Sequence, residues 1–196
     1  MKENKKSKKY LEIMKTAREL FWKHGFRRVT IQEICEKAGV SKMTFYKHFP
    51  NKIDLAKTVF TNEVTQGMEK FNRLMDEDIP TQEKIKKIIL LKTEGTDNIS
   101  REFMEDFYID TESGLKDFVE EKTREAWNRL LKDYKRAQEK GIFRDDFKPE
   151  FLLHISFKMI EILKDEKLLG LYNTPQELIL EFTKFVTYGI SPYDTK

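Results

Sequence analysis

The 196-residue chain has one cysteine, Cys35, and three scattered histidines, His24, His48 and His154. That excludes an intramolecular disulfide framework and any multi-cysteine zinc or iron–sulfur centre, and it leaves no cluster of metal ligands in view. Turn-formers are scarce as well, with 8 Gly and 5 Pro, too few for a protein built of strands and tight turns. The longest aliphatic run, Ile88-Ile89-Leu90-Leu91, falls far short of the roughly 20 apolar residues of a membrane-spanning helix. The basic start, MKENKKSKKY, continues into charged sequence with no apolar export core, so the expected location is cytoplasmic. There is no Ser/His/acid order, Gly-rich phosphate loop or HExxH motif. No catalytic residue, metal site or cofactor is therefore nominated, and an enzyme is not expected.

What the chain does have is Lys, Glu, Leu and 15 Phe, with hydrophobic residues at 39%. This is too apolar for disorder and rich in helix formers. Apolar residues recur at helical spacing almost throughout. The first helix spans 8–24 and ends at Gly25; Thr30 opens a second, with Glu33 completing a capping box, and Gly39 stops it. Ser41 caps a third, short helix through Lys47. A long helix follows over 52–75, another over 81–93, and a less regular segment over 98–111. Further helices are expected over 113–140, 149–168 (Pro149 at its first turn) and 175–188. The expectation is an all-α chain of about nine helices, with a three-helix domain over 1–50 and a larger regulatory and dimerisation domain over 51–196.

Two short helices joined by Ala38-Gly39-Val40 have the spacing of a helix-turn-helix. Many helix pairs share such a turn and bind nothing. The wider pattern is more specific. Gly25-Phe26, Val29-Thr30-Ile31, Ile34, Ala38-Gly39-Val40-Ser41, Thr44-Phe45-Tyr46, His48-Phe49, Lys52 and Leu55 together resemble the TetR family of bacterial transcriptional regulators over residues 10–55. The remainder agrees with the family in size and helical layout only.

The resemblance implies a sequence-specific regulator, most simply a repressor, that binds a (pseudo)palindromic double-stranded operator as a homodimer and is released by a small-molecule effector. The third helix would read the major groove from its N-terminal end. There Ser41, Lys42, Met43 and Thr44 offer hydroxyls, an ammonium for guanine and a thioether for a thymine methyl. Tyr46, Lys47 and His48 stand where the family places phosphate contacts, and Thr30 and Lys52 stand at helix N-termini, which favour phosphate. One residue departs from the pattern. The family often has Gly where this chain has Met43, which leaves a second possibility open, a TetR-like co-regulator that works through a protein partner.

Charge is uneven along the chain. Residues 1–50 hold 13 Lys and Arg against 5 acids, net +8, while 51–196 are net −5, giving the overall +3. A basic module beside an acidic one is the footprint of a DNA binder with a separate regulatory domain. Lys2, Lys5, Lys6, Lys8 and Lys9 would form a basic arm for backbone or minor groove. For dimerisation the resemblance points to the last two long helices, which present Phe151, Leu152, Ile155, Met159 and Ile162, then Leu178, Phe182 and Phe185. An effector pocket would draw on Met68, Phe71, Phe103, Phe107, Tyr108 and Trp127. Such a lining suits a lipophilic effector, and a cationic one if any of the seven acids in 94–112 faces inward.

Overall fold

A computed structural model describes residues 7–192, the Ile160 side chain excepted. Among the described residues there are ten α-helices, one π-helical turn and no strand. They are α1 (Lys8–His24), α2 (Ile31–Lys37), α3 (Lys42–His48), α4 (Lys52–Asp76), α5 (Thr81–Gly95), α6 (Arg101–Met104), a π-turn (Glu105–Ile109), α7 (Leu115–Glu139), α8 (Pro149–Ile162), α9 (Glu166–Leu169) and α10 (Pro175–Gly189). No described helix is long and apolar enough to cross a membrane.

The chain divides into two compact units. The first holds residues up to Asn62 together with Asn98–Val119, and the second holds Glu63–Asp97 with Glu120 onward. The expected split at residue 50 has no counterpart in this division, because Asn98–Val119 returns to the first unit through its aromatic residues. Phe103 lies 4.4 Å from Trp22 of α1 and stacks on Phe107 at 4.4 Å. Phe107 in turn meets Phe21, Phe26 and Phe60. Around them Ile13, Ala17, Ile34, Phe45, Leu55 and Val59 are fully buried.

In the second unit the core is Leu74, Met75, Ile85, Ala137, Ile142, Phe143, Leu152 and Ile190. Lys84 is buried, and its ammonium donates to the carbonyls of Leu74, Met75 and Glu77. It thereby satisfies the orphan acceptors at the end of α4. The helix expected over 149–168 stops at Ile162. The charged run Lys164-Asp165-Glu166-Lys167 has no apolar face to bury, and the Asp165 carboxylate starts α9 by accepting from the amides of Lys167 and Leu168.

The N-terminal lysines part company. Ser7 caps α1, so Lys8 and Lys9 are in its first turn rather than in an arm, while Lys2, Lys5 and Lys6 lie outside the described residues.

Candidate nucleic-acid interface

The three helices of the basic segment are set by their caps. The Thr30 hydroxyl accepts from the Glu33 amide at 3.1 Å, and the Ser41 hydroxyl accepts from the Thr44 amide at 3.1 Å. The capping box at Thr30 is half formed, because the Glu33 carboxylate pairs with Lys37 one turn on, at 3.2 Å. Between α2 and α3, Gly39 takes φ +63. This lets the Val40 amide return to the Cys35 carbonyl at 3.0 Å, and the Gly39 amide to that of Glu36 at 3.3 Å, a Schellman ending that turns the chain into α3.

α3 is anchored by Phe45, fully buried, and by Phe49 just beyond it. Its other side is bare, with Lys42, Met43, Tyr46 and Lys47 all exposed. Met43 is 69% exposed and Tyr46 54%, large values for residues with so much apolar surface. The Lys42 ammonium reaches the Gln32 side-chain oxygen at 3.4 Å, so α2 and α3 share one polar rim. Gln32 is a contact candidate that sequence reasoning missed; its exposure on α2 beside Lys42 became visible only when the two helices packed. Positive groups gather behind the rim, and burial with Arg28 and Lys23 nearby holds His24 below the usual imidazole range.

Three expected contacts are placed differently from the rest. The Lys52 ammonium turns inward, donating to the carbonyls of Phe26 at 2.7 Å, Val29 at 2.8 Å and Arg27 at 3.4 Å, over the Phe26 ring. It clamps the α1–α2 loop and is not directed at phosphate. Burial pushes its pKa down even with Asp106 nearby. His48 is half-buried, with Nε2 3.3 Å from the Ser7 hydroxyl and its ring edge-on to Tyr10. Thr44 is half-buried, its hydroxyl against that of Ser41 at 3.1 Å. Cys35 is buried, which pushes its thiol up and leaves it unreactive.

The same loop is held from the far side by Asn98–Val119. The Arg27 amide donates to Asp106 Oδ2 at 2.9 Å, and its guanidinium pairs with both Asp106 and Asp110. Gly25, at φ +76, permits the approach, since a Cβ there would sit 2.5 Å from Asp106 Oδ2. The two acids are displayed by the π-turn.

The nominated pocket residues are distributed over both units. Phe103 and Phe107 are fully buried against other rings of the first unit and offer no free surface, a correction that follows from their stacking on Trp22 and Phe21. Tyr108 is half-buried there, its phenol pushed up to about 12 by burial. Phe71 and Trp127 pack half-buried around the second unit's core, and Met68 is half-buried on α4.

Of the nominated dimer residues, Phe151 at 61% and Phe185 at 79% are exposed. Ile155, Ile162 and Phe182 are half-buried. Leu152, Met159 and Leu178 are buried within the chain itself and unavailable to a partner. α8 and α10 each turn one side to their own core, and those three residues lie on it.

A short helix anchored by one aromatic face, bare and basic on the other, and preceded by a Gly turn from a capped helix is the DNA-reading arrangement. The first unit carries a helix-turn-helix DNA-binding domain. Residues 13–59 match the family model described as bacterial regulatory proteins, tetR family, and over this domain the chain is similar to that family.

The HTH-type transcriptional regulator YerO of Bacillus subtilis is 33% identical over 114 residues, 49% of this chain and 39% of that protein. Two further relatives are matched over 43% and 45% of their length, so the chain spans less than half of each. Among solved structures, the fatty acid degradation regulator FadR of Bacillus halodurans superposes at TM-score 0.69 with 20% identity, covering 95% of this chain and 97% of that one. The transcriptional regulator FadR of Bacillus subtilis, solved in complex with stearoyl-CoA, gives TM-score 0.64 with 18% identity over 91% and 97%. These likenesses show the fold. The family and these proteins are regulators of transcription, not enzymes.

Proposed function

We propose that the protein is a homodimeric repressor whose two copies of α3 read the half-sites of a two-fold symmetric operator, and that a lipophilic effector releases it. The observation that carries this reading is the bare rim of Lys42, Met43, Tyr46 and Lys47 on an otherwise anchored helix. Ser41 and Thr44 complete the N-terminal end of α3, and Thr30 presents the N-terminus of α2 to phosphate. One short helix covers half a site, so two copies are needed, about 34–36 Å apart or a multiple of that spacing. Exposed Phe151 and Phe185, with Tyr188 at 60%, supply an apolar surface for the second copy.

For the effector, the fold shared with a regulator holding stearoyl-CoA supports an acyl-chain ligand. Three of the seven acids in 94–112 are engaged with cations of the chain itself, Asp106 and Asp110 with Arg27 and Glu94 with Lys70.

The test is a gel-shift series on the DNA upstream of the gene at several salt concentrations. Saturable, sequence-selective binding is the expected result, and its absence at every salt removes the reading. Exposed Met43 supports the second reading, a protein partner on this face, which predicts stable capture of that partner together with negligible selective DNA binding.

A further inference from the structure

Gln32 stands in the first turn of α2, and Lys42 opens α3. The turn between the helices brings the two side chains together, and the Lys42 ammonium donates to Gln32 Oε1 at 3.4 Å. One turn further along α2, the Glu36 carboxylate accepts from Gln32 Nε2 at 2.9 Å. All three residues are exposed. They form one row of hydrogen-bonded side chains, Lys42 to Gln32 to Glu36, that carries the bare side of α3 over onto α2. The two bonds hold the Gln32 carboxamide from both ends.

A carboxamide has two N–H donors and an oxygen with two lone pairs. Lys42 takes one lone pair and Glu36 takes one N–H. Among the described residues the other N–H and the other lone pair are unused. One donor beside one acceptor is what the major-groove edge of adenine requires, since its N7 accepts and its N6 amino group donates. Guanine shows two acceptors on that edge, and thymine an acceptor and a methyl group, so either would leave the carboxamide half paired. The Lys42 ammonium has three donors and uses one on Gln32, which keeps two for guanine. Its separation from Gln32, 3.4 Å, is about one base step, so the two side chains face neighbouring base pairs. On such a rim the Glu36 carboxylate repels phosphate, but it fixes the direction of the Gln32 carboxamide.

We infer that Gln32 reads an adenine at the base pair next to the one that Lys42 reads, with Glu36 as the positioning residue that orients its carboxamide. The inference rests on the reading of α3 as the DNA-reading helix, and it extends the base-reading surface onto α2. Each half-site then holds an A·T pair, read by Gln32, beside a G·C pair, read by Lys42.

The experiment selects binding sites for the full chain from a random duplex library, then measures Kd for the selected site with each base pair replaced in turn. For the parent, replacing the A·T pair beside the Lys42-dependent pair should weaken binding about 5- to 100-fold. Gln32→Ala should abolish that loss and leave the losses at other base pairs unchanged, while Lys42→Ala should act at its own pair. Glu36→Ala should blunt the adenine preference while tightening binding to every duplex, and Glu36→Gln, which keeps an oxygen acceptor, should retain the preference. The three side chains are exposed, so the variants should melt with the parent. An unchanged base profile in Gln32→Ala, equal weakening on all duplexes, relaxation only at the Lys42-dependent pair, or relaxation at a pair other than A·T would each overturn the inference. An adenine preference untouched by Glu36→Ala would overturn the positioning role. A parent that selects no sequence removes the DNA-reading proposal as well, whereas a selective parent whose profile ignores Gln32 removes this inference alone.

Discussion

Single residues separate DNA contact from architecture. Lys47 and Lys52 both look like phosphate ligands in the sequence, but only Lys47 is exposed. Lys47→Ala should weaken binding to all sequences and lower the salt slope by about one. Lys52→Met should leave that slope unchanged and instead cost about 2 kcal/mol of stability, the scale of lost charged hydrogen bonds, read by urea denaturation. A reversal of the two patterns would contradict the inward placement of Lys52. Lys42→Ala should relax selectivity at one base pair, by about 1–3 kcal/mol, measured across an operator substitution series. Glycine supplies a second pair. Gly25 and Gly39 both take positive φ, but a Cβ meets nothing within 4 Å at Gly39 and strikes Asp106 at Gly25. Gly39→Ala should cost about 1–2 kcal/mol for the left-handed backbone, and Gly25→Ala distinctly more. Equal losses would show that Asp106 yields freely.

Among the elements, the π-turn, capped by Asp110, ties its segment to the α1–α2 loop. It sets Asp106 and Asp110 on one cation, Arg27, at the entry to the helix-turn-helix. π-turns recur at functional positions, and here the turn holds the loop that ends in the Thr30 cap. Burial alone would raise the Asp110 carboxyl, but the amides of Glu112 and Ser113 and the charge of Arg27 bring it below its ordinary 3.8. A depressed carboxylate contributes stability that is complete above the unfolded value and is lost as pH falls through the folded one. Acid unfolding followed by circular dichroism should therefore show an Asp110-dependent loss below about pH 4. Asp110→Asn should reduce that pH dependence, and an unchanged acid profile would mean that the ion pair contributes nothing. These contacts were not legible in the sequence. The acids of 94–112 could be counted, but their partner lies some 80 positions earlier, and only packing chose it.

For the whole molecule, the proposed reading of a two-fold operator depends on a second copy. Phe151→Glu combined with Phe185→Glu places charges on two residues that this chain leaves exposed, so the monomer fold should survive. Sedimentation velocity should show the variant as a monomer where the parent is a dimer, and operator affinity should fall at least tenfold, because half-sites bound singly lose their shared effective concentration. A dimeric variant would place the interface elsewhere. Met159 and Leu178 would be poor choices for this experiment, since replacing them disrupts the chain's own core.

By itself the sequence determined the helical class, the caps Thr30 and Ser41, the Gly39 turn and the outward Lys42, Met43 and Lys47 of α3. All of these depend on neighbours within a few positions, where spacing, capping chemistry and backbone freedom act directly. Tertiary structure alone decided which apolar faces are core and which remain open, why Lys52 and His48 turn inward, and why Asp106 and Asp110 meet Arg27. Each of these is a choice of partner across long stretches of chain, and local periodicity carries no information about which distant group will be near enough to pair.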